Sequence, residues 1–382
     1  MTVPAAGLTM RGMEIQDFDA IVIGAGMAGA TSAAHLSATH RVALLEAEES
    51  AGYHSTGRSA ALWIANYGGP DARRLTLASR PFFETPWDGF AAAPLLSPRP
   101  VINLAPASQA KHLAQMIAEG TGIEPIAVAE VAAMVPALRP GYAVAASIER
   151  DAFEIDVASL HQGFLQSLRK SGGVIALRHR AGRIGLARGK WEAETSSGAV
   201  FRAPVIVDAA GAWGDEVAAI AGLPKIGLQP KRRTALIVDP GKHDCSHWPL
   251  LGDADHSWYV RAEARRKLMV SPADETDMDP HDVQPDEMDI AIAVERMQEA
   301  LDIPVTRIEH RWAGLRSFTP DRSLAIGPDR DAPGFFWMIG QGGFGIQTAP
   351  AAGRLLASLV RGDDPGDLAD VVPMVDPNRF KR

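Results

Sequence analysis

Residues 18–29, Phe-Asp-Ala-Ile-Val-Ile-Gly-Ala-Gly-Met-Ala-Gly, limit what this chain can become more than any other stretch. A short apolar run ends in a G-x-G-x-x-G turn, and an alanine-rich segment of helical character follows. Each glycine has its own task. Gly24 permits the tight turn, Gly26 lets a pyrophosphate approach the backbone, and Gly29 lets helix and strand pack closely. Free N–H groups at the helix start, where Met27 and Ala28 stand, then face the phosphates. A second apolar run, 41–46, ends in Glu46, 20 residues after Gly26 and placed to accept a hydrogen bond from a ribose hydroxyl, with Ala47 next to it. Strand, helix and strand within about 30 residues make one βαβ unit. The acidic partner repels the 2′-phosphate of NADP, which leaves NAD or FAD.

Three features favour FAD. The turn comes close to the start of the chain, buried-strand segments ending in small residues return late (203–211), and 335–361 reads as strand, glycine-rich loop and helix. That last helix is expected to begin near Ile346 to Thr348, with Pro350 tolerated in its first turn. Its N-terminus would favour negative charge on a reduced flavin ring. Candidate cofactor residues here are Gly342, Gly343, Phe344, Gly345, Ile346, Gln347 and Thr348; Ala210, Gly211 and Trp213 join them from the 203–213 segment.

At 382 residues the chain exceeds one ordinary core, so two lobes are expected. The expected fold is α/β. A discontinuous Rossmann-type FAD-binding domain takes 17–84, 151–224 and 317–368, and an α+β substrate domain with a mixed or antiparallel sheet takes 85–150 and 225–316. Residues 1–16 read as a loose leader and 369–382 as a C-terminal tail. Helices are expected near 71–83, 108–118, 285–300 and 156–171, the last capped by Asp156. A hairpin should turn at Ser197-Gly198, and 234–238 and 267–270 should be antiparallel strands. A hydrophobic fraction of 46% and a charged fraction of 22% suit a soluble globular protein. A net charge of -8 disfavours nucleic acid or an anionic membrane as the main partner. No apolar run reaches the roughly 18–20 residues of a transmembrane helix, and a cytoplasmic location is the expectation. The sole cysteine, Cys245, allows no disulfide and lies in a loop-like stretch, so FAD should be held non-covalently. No histidine spacing points to a metal.

The stretches Gly52-Tyr-His-Ser-Thr-Gly-Arg-Ser-Ala-Ala61, Leu95-Leu-Ser-Pro-Arg-Pro100, Leu228-Gln-Pro-Lys-Arg-Arg233, Trp312-Ala-Gly-Leu-Arg-Ser-Phe318 and Gln341-Gly-Gly-Phe-Gly-Ile-Gln-Thr348 together resemble the D-amino-acid oxidase superfamily. Within it the chain is similar to D-amino-acid dehydrogenases of the D-arginine dehydrogenase type. The resemblance, spread over about residues 18–360, implies a substrate lobe lying over the flavin. It implies Ser59 and Ala60 near the isoalloxazine, with Gly345, Ile346 and Gln347 on its other edge, and Arg58 is a further candidate cofactor residue. It implies that Arg316 and Arg233 hold a substrate carboxylate, that Tyr67 and Tyr259 line the pocket, and that the Gly314 carbonyl accepts from the amine. The residues themselves support the arginines, because a bidentate guanidinium fixes both the position and the plane of a carboxylate. Lys231 and Arg232 adjoin Arg233, so the sequence leaves open which of Arg232 and Arg233 faces the pocket.

Departures from the resemblance fall in the pocket. The D-arginine enzymes carry a glutamate where Val101 stands, and a histidine and a threonine where Leu62 and Ile64 stand. A buried guanidinium without a carboxylate is costly. The expected substrate is therefore a D-amino acid with an apolar or neutral side chain, oxidised to the imino acid and then the 2-oxo acid by hydride transfer to flavin N5. An N-methyl or other secondary amino acid, or a 2-hydroxy acid, could use the same clamp, and a non-catalytic flavoprotein subunit would need no clamp. The electron acceptor, oxygen or a quinone, and the oligomeric state stay open; a quinone acceptor would place the protein at the inner-membrane surface.

Overall fold

The computed structural model describes residues 15–380. Its central sheet has six strands in the order Val174–Ala176, Val42–Leu45, Ala20–Ile23, Val205–Asp208, Phe335–Ile339 and Ala325–Pro328. The first five run parallel and the last is antiparallel. Ala20–Ile23 and Val42–Leu45 are buried at every position, because helices or a second sheet cover both faces. That is why they read as continuous apolar runs rather than alternating ones. Burying each Ile, Val or Leu there contributes about 1.5–3 kcal/mol.

The helix Met27–Leu36 lies on one face, packed against Val157–Lys170 and Ala349–Arg361. A Cβ on Gly353 would lie 2.3 Å from Thr31 Oγ1, so glycine there lets the C-terminal helix close onto the first one. Thr31 Oγ1 then donates to the Ala349 carbonyl at 2.9 Å. Asp156 caps Val157–Lys170 as expected, its carboxylate accepting the Ser159 N–H at 2.9 Å. A four-stranded sheet (Ile15–Asp17, Val200–Ala203, Lys190–Thr195, Ala181–Ala187) and the helix Gly214–Ile220 cover the other face. The hairpin through Ser197-Gly198 belongs to that sheet.

The second large sheet has nine strands and is mixed. Its order is Thr276–Asp277, Gln229–Val238, Lys267–Ser271, Tyr259–Glu263, Leu250–Asp253, Val101–Ala105, Ala145–Glu149 and Ile123–Ile126, with Ile308–Phe318 also paired to Gln229–Val238. Only Leu250–Asp253 beside Val101–Ala105 is parallel. Alternate residues such as Ile102, Ile148, Leu236, Val260 and Val270 form an apolar face with the helix Glu287–Ala300. The intervening positions, Tyr259 and Arg233 among them, look toward the first sheet. No helix among the described residues is long and apolar enough to cross a membrane.

Two chain-end expectations need correction. Ile15 and Gln16, read as leader, pair in parallel with Val200 and Phe201; residues 1–14 lie outside the described residues. Past residue 368 the chain does not trail away. Val371 and Val375, four apart on one helical face, are fully buried, and Val372–Val375 forms a short helix against Ala325–Pro328.

Candidate active site

The turn after Ala20–Ile23 is shaped by contacts that exclude side chains. Gly24 has φ +97°, and a Cβ there would lie 2.6 Å from the Ala209 carbonyl oxygen. A Cβ on Gly29 would lie 1.8 Å from the Gly24 carbonyl oxygen, so Gly29 packs behind the turn. Gly26 has no side chain to cap the helix, and Thr56 Oγ1 accepts the Met27 N–H instead, at 2.9 Å. Glu46, at the end of the next strand, accepts from Ala25 N–H through Oε2 at 2.9 Å and from Glu48 N–H through Oε1 at 3.0 Å. Each oxygen keeps acceptor capacity for a hydroxyl. Gly24, Gly26, Met27, Ala28, Glu46 and Ala47 line one continuous cavity.

That cavity runs on past Ala210, Gly211 and Trp213, along Arg58, Ser59 and Ala60, to Gly342, Gly343, Gly345 and Ile346. Phe344, Gln347 and Thr348 do not line it. Phe344 packs edge-on against Tyr67, with ring centroids 5.1 Å apart. Thr348 Oγ1 donates to the Phe344 carbonyl, and Ala349–Arg361 starts one residue beyond it, slightly later than expected. Gln347 is a buried brace: Oε1 accepts the Ile64 N–H at 3.2 Å and Nε2 donates to Thr76 Oγ1 at 2.8 Å. Arg58 borders the cavity, but its guanidinium is engaged elsewhere, on the Val283 and Ala313 carbonyls and the Asp282 carboxylate.

Two guanidiniums stand at the far end. Antiparallel pairing sets Arg233 opposite Gly314 and Lys231 opposite Arg316, so the alternation of a strand puts Arg233 and Arg316 on the cavity side. Arg232 points the other way and pairs with Asp289 at 2.7 Å, which settles the choice the sequence left open. Arg316 Nη1 donates to the Tyr67 hydroxyl at 3.0 Å, and among the described residues no carboxylate lies within salt-bridge distance of it. Burial works against its charge, but Tyr67, Tyr259 and Glu275 together outweigh burial and hold the guanidinium above its ordinary pKa. Arg233 is held below the ordinary value by burial and by the Arg316 charge. Its Nε donates to the Asp274 carbonyl at 2.9 Å, and Glu275, 3.4 Å from Nη2, is shared with Arg322. Burial alone would raise the Tyr259 phenol; the two guanidiniums outweigh it and lower that pKa. A Cβ on Gly343 would fall 2.8 Å from the Tyr67 hydroxyl and 2.9 Å from Arg316 Nη1. Glycine is what leaves room for that pair.

The pocket residues inferred from Leu62, Ile64 and Val101 need correction. They come together, but in an apolar cluster with Ala152 and Leu250 that does not line the cavity. Leu62 pairs with Glu154 in a small three-stranded sheet, and Val101 starts a strand beside Leu250, so their side chains fill the seam between sheets. Directly opposite Val101 stands Glu149, 4% exposed, which accepts the Ala65 N–H at 3.1 Å and which burial holds above the usual carboxylate range. Sequence reasoning missed Glu149, Thr56, Glu275 and His161. Only His161 carried a signal: a histidine inside the apolar stripe Leu160, Phe164, Leu165, Leu168 of a helix.

One continuous cavity runs between a Rossmann-type sheet and a mixed sheet, the architecture of a dinucleotide-binding α/β protein. A diphosphate fits the close, side-chain-free turn at Gly24 and Gly26, and Glu46 suits a ribose. The family model described as "FAD dependent oxidoreductase", DAO, matches residues 19–359, and the chain belongs to this family. It is an FAD-dependent oxidoreductase of mixed α/β fold. The chain is 26% identical over 174 residues to bovine (Bos taurus) "FAD-dependent oxidoreductase domain-containing protein 1", a match covering 41% of this chain and 35% of that protein. Among solved structures, L-proline dehydrogenase from P. horikoshii superposes with a TM-score of 0.81 at 20% identity, over 96% of this chain and 98% of that one. Glycine oxidase from Geobacillus kaustophilus gives 0.80 at 19% identity, over 93% and 98%.

Proposed function

We propose that this chain oxidises a small α-amino acid of D configuration with a neutral side chain, and that Arg316 and Arg233 anchor the substrate carboxylate. The observation that carries the reading is the guanidinium pair at the end of the FAD cavity. Arg316 is held charged and bonded to a tyrosine hydroxyl; among the described residues no carboxylate lies within salt-bridge distance of it, and Glu275 acts on it only from farther off. A buried cation of that kind is suited to a carboxylate brought by a ligand. Tyr67 and Tyr259 set the guanidiniums and add hydroxyl donors, while Gly314, opposite Arg233, offers a carbonyl to the amine. Bound FAD supplies the hydride acceptor. The protein's part is to hold the carboxylate and amine so that the substrate Cα–H bond is presented in one orientation, which needs no strong base. The neutral side chain is supported by the cavity lining on the sheet that carries the clamp, where Ala235, Tyr259, Trp312, Leu315 and Ser317 are all uncharged.

The test is anaerobic bleaching of the flavin absorbance by a panel of D- and L-amino acids, N-methyl amino acids and 2-hydroxy acids. Fast bleaching by neutral D-amino acids with D-arginine slow is expected. Comparable rates for D-arginine and D-leucine would refute the side-chain reading. Bleaching by hydroxy acids or secondary amines alone would overturn the substrate class, and none from any compound would leave a non-catalytic flavoprotein.

A further inference from the structure

Ala25, the residue between the two phosphate-facing glycines, has both of its backbone polar groups tied to remote side chains. Its N–H is taken by Glu46 and its carbonyl oxygen lies 2.9 Å from His161 Nε2. His161 is 4% exposed and stands on Val157–Lys170, more than 130 residues along the chain from the turn. The carbonyl can only accept, so Nε2 carries the proton. The same ring lies under the start of the 52–60 loop. Gly52 has φ +78°, and a Cβ there would come within 2.9 Å of His161 Cε1. Thr56, on that loop, takes the Met27 N–H. One imidazole therefore braces both walls of the cavity where Gly24 and Gly26 meet it. Packing alone would be served by leucine, as at Leu160, Leu165 and Leu168 on the same stripe.

We propose that His161 is a positioning residue for the FAD diphosphate: its Nε2–H fixes the Ala25 carbonyl, which holds the Gly24–Gly26 backbone in its phosphate-ready orientation. This rests on the diphosphate lying against that turn. A glutamine amide can place its nitrogen where histidine Nε2 stands, whereas asparagine falls short and leucine has no donor.

The test compares His161→Gln, His161→Asn and His161→Leu holoenzymes by the rate at which FAD is released on dilution, read as recovery of free-flavin fluorescence, and by melting temperature. A single hydrogen bond of ordinary strength corresponds to roughly a three- to tenfold effect. Release should be faster by that factor in the Asn and Leu variants and near wild type in the Gln variant. The proposal is overturned if Gln and Asn release FAD equally fast, or if Asn and Leu lower only thermal stability while release stays unchanged. If the Leu variant does not fold, the Gln–Asn comparison decides alone.

Discussion

Replacing Gly343 by alanine probes the anion clamp without removing any charge. A new methyl group would sit 2.8 Å from the Tyr67 hydroxyl and 2.9 Å from Arg316 Nη1, closer than such atoms approach one another. Gly343 is not among the glycines of positive φ, so the backbone accepts alanine without strain. The atoms that must give way are the ends of two side chains, Tyr67 and the cavity-lining Arg316, not backbone, so folding should be little affected. What yields is the geometry of the Arg316 guanidinium. Mis-setting one hydrogen bond to a charged group costs about 1.5–3 kcal/mol, or roughly a 10- to 150-fold loss in kcat/KM. Because the clamp acts on bound substrate, most of the loss should appear in KM. The assay is steady-state turnover of the best substrate from the panel, with FAD content and melting temperature measured on the same preparation. A folded, FAD-loaded Gly343→Ala enzyme whose kcat/KM stays within about twofold of wild type would refute the placement of Arg316. Loss of FAD with substrate affinity intact would refute it too, by making Gly343 a cofactor residue only.

Strand alternation predicts opposite phenotypes for two adjacent arginines. Arg232→Gln breaks the pair with Asp289 and should lower the melting temperature by a few degrees with KM unchanged, whereas Arg233→Gln should keep its melting temperature and lose about 10- to 100-fold in kcat/KM; the reverse pattern would show that the register is wrong. Asp208 ends a central strand fully buried, with Oδ1 accepting the Ala210 N–H and Oδ2 without a hydrogen-bond partner among the described residues, and burial raises its pKa well above the ordinary carboxylate value. A carboxyl whose folded pKa is raised contributes stability below its unfolded pKa and loses it as pH climbs toward the folded value. Melting temperatures at pH 5 and 8 should therefore fall more steeply for wild type than for Asp208→Asn, and parallel slopes would refute the neutral acid.

What the sequence made legible was local. The glycine turn, the Asp156 cap and the two buried strands follow from periodicity and capping over a few residues, and each appears where expected. The arginine triplet shows where locality ends. Arg232 and Arg233 are equivalent in isolation, and only pairing with a strand about 80 residues later sets which one faces inward. Leu62, Ile64 and Val101 failed for the same reason: they do meet, but whether a cluster faces a cavity or a seam between sheets depends on how the sheets stack. His161 and Glu149 act on partners far along the chain, and no local pattern encodes that.

The ties across the cavity also say something about when it forms. Ser55 donates to the Leu315 carbonyl, Arg58 to the Ala313 carbonyl and Trp312 Nε1 to the Arg58 carbonyl, contacts separated by 254 to 260 residues. Closing loops of that length carries an entropy cost that must be met before any of these bonds stabilises the chain. The cleft is therefore complete only once segments from both halves of the chain are in place, so retention of the yellow cofactor should report on the two halves together.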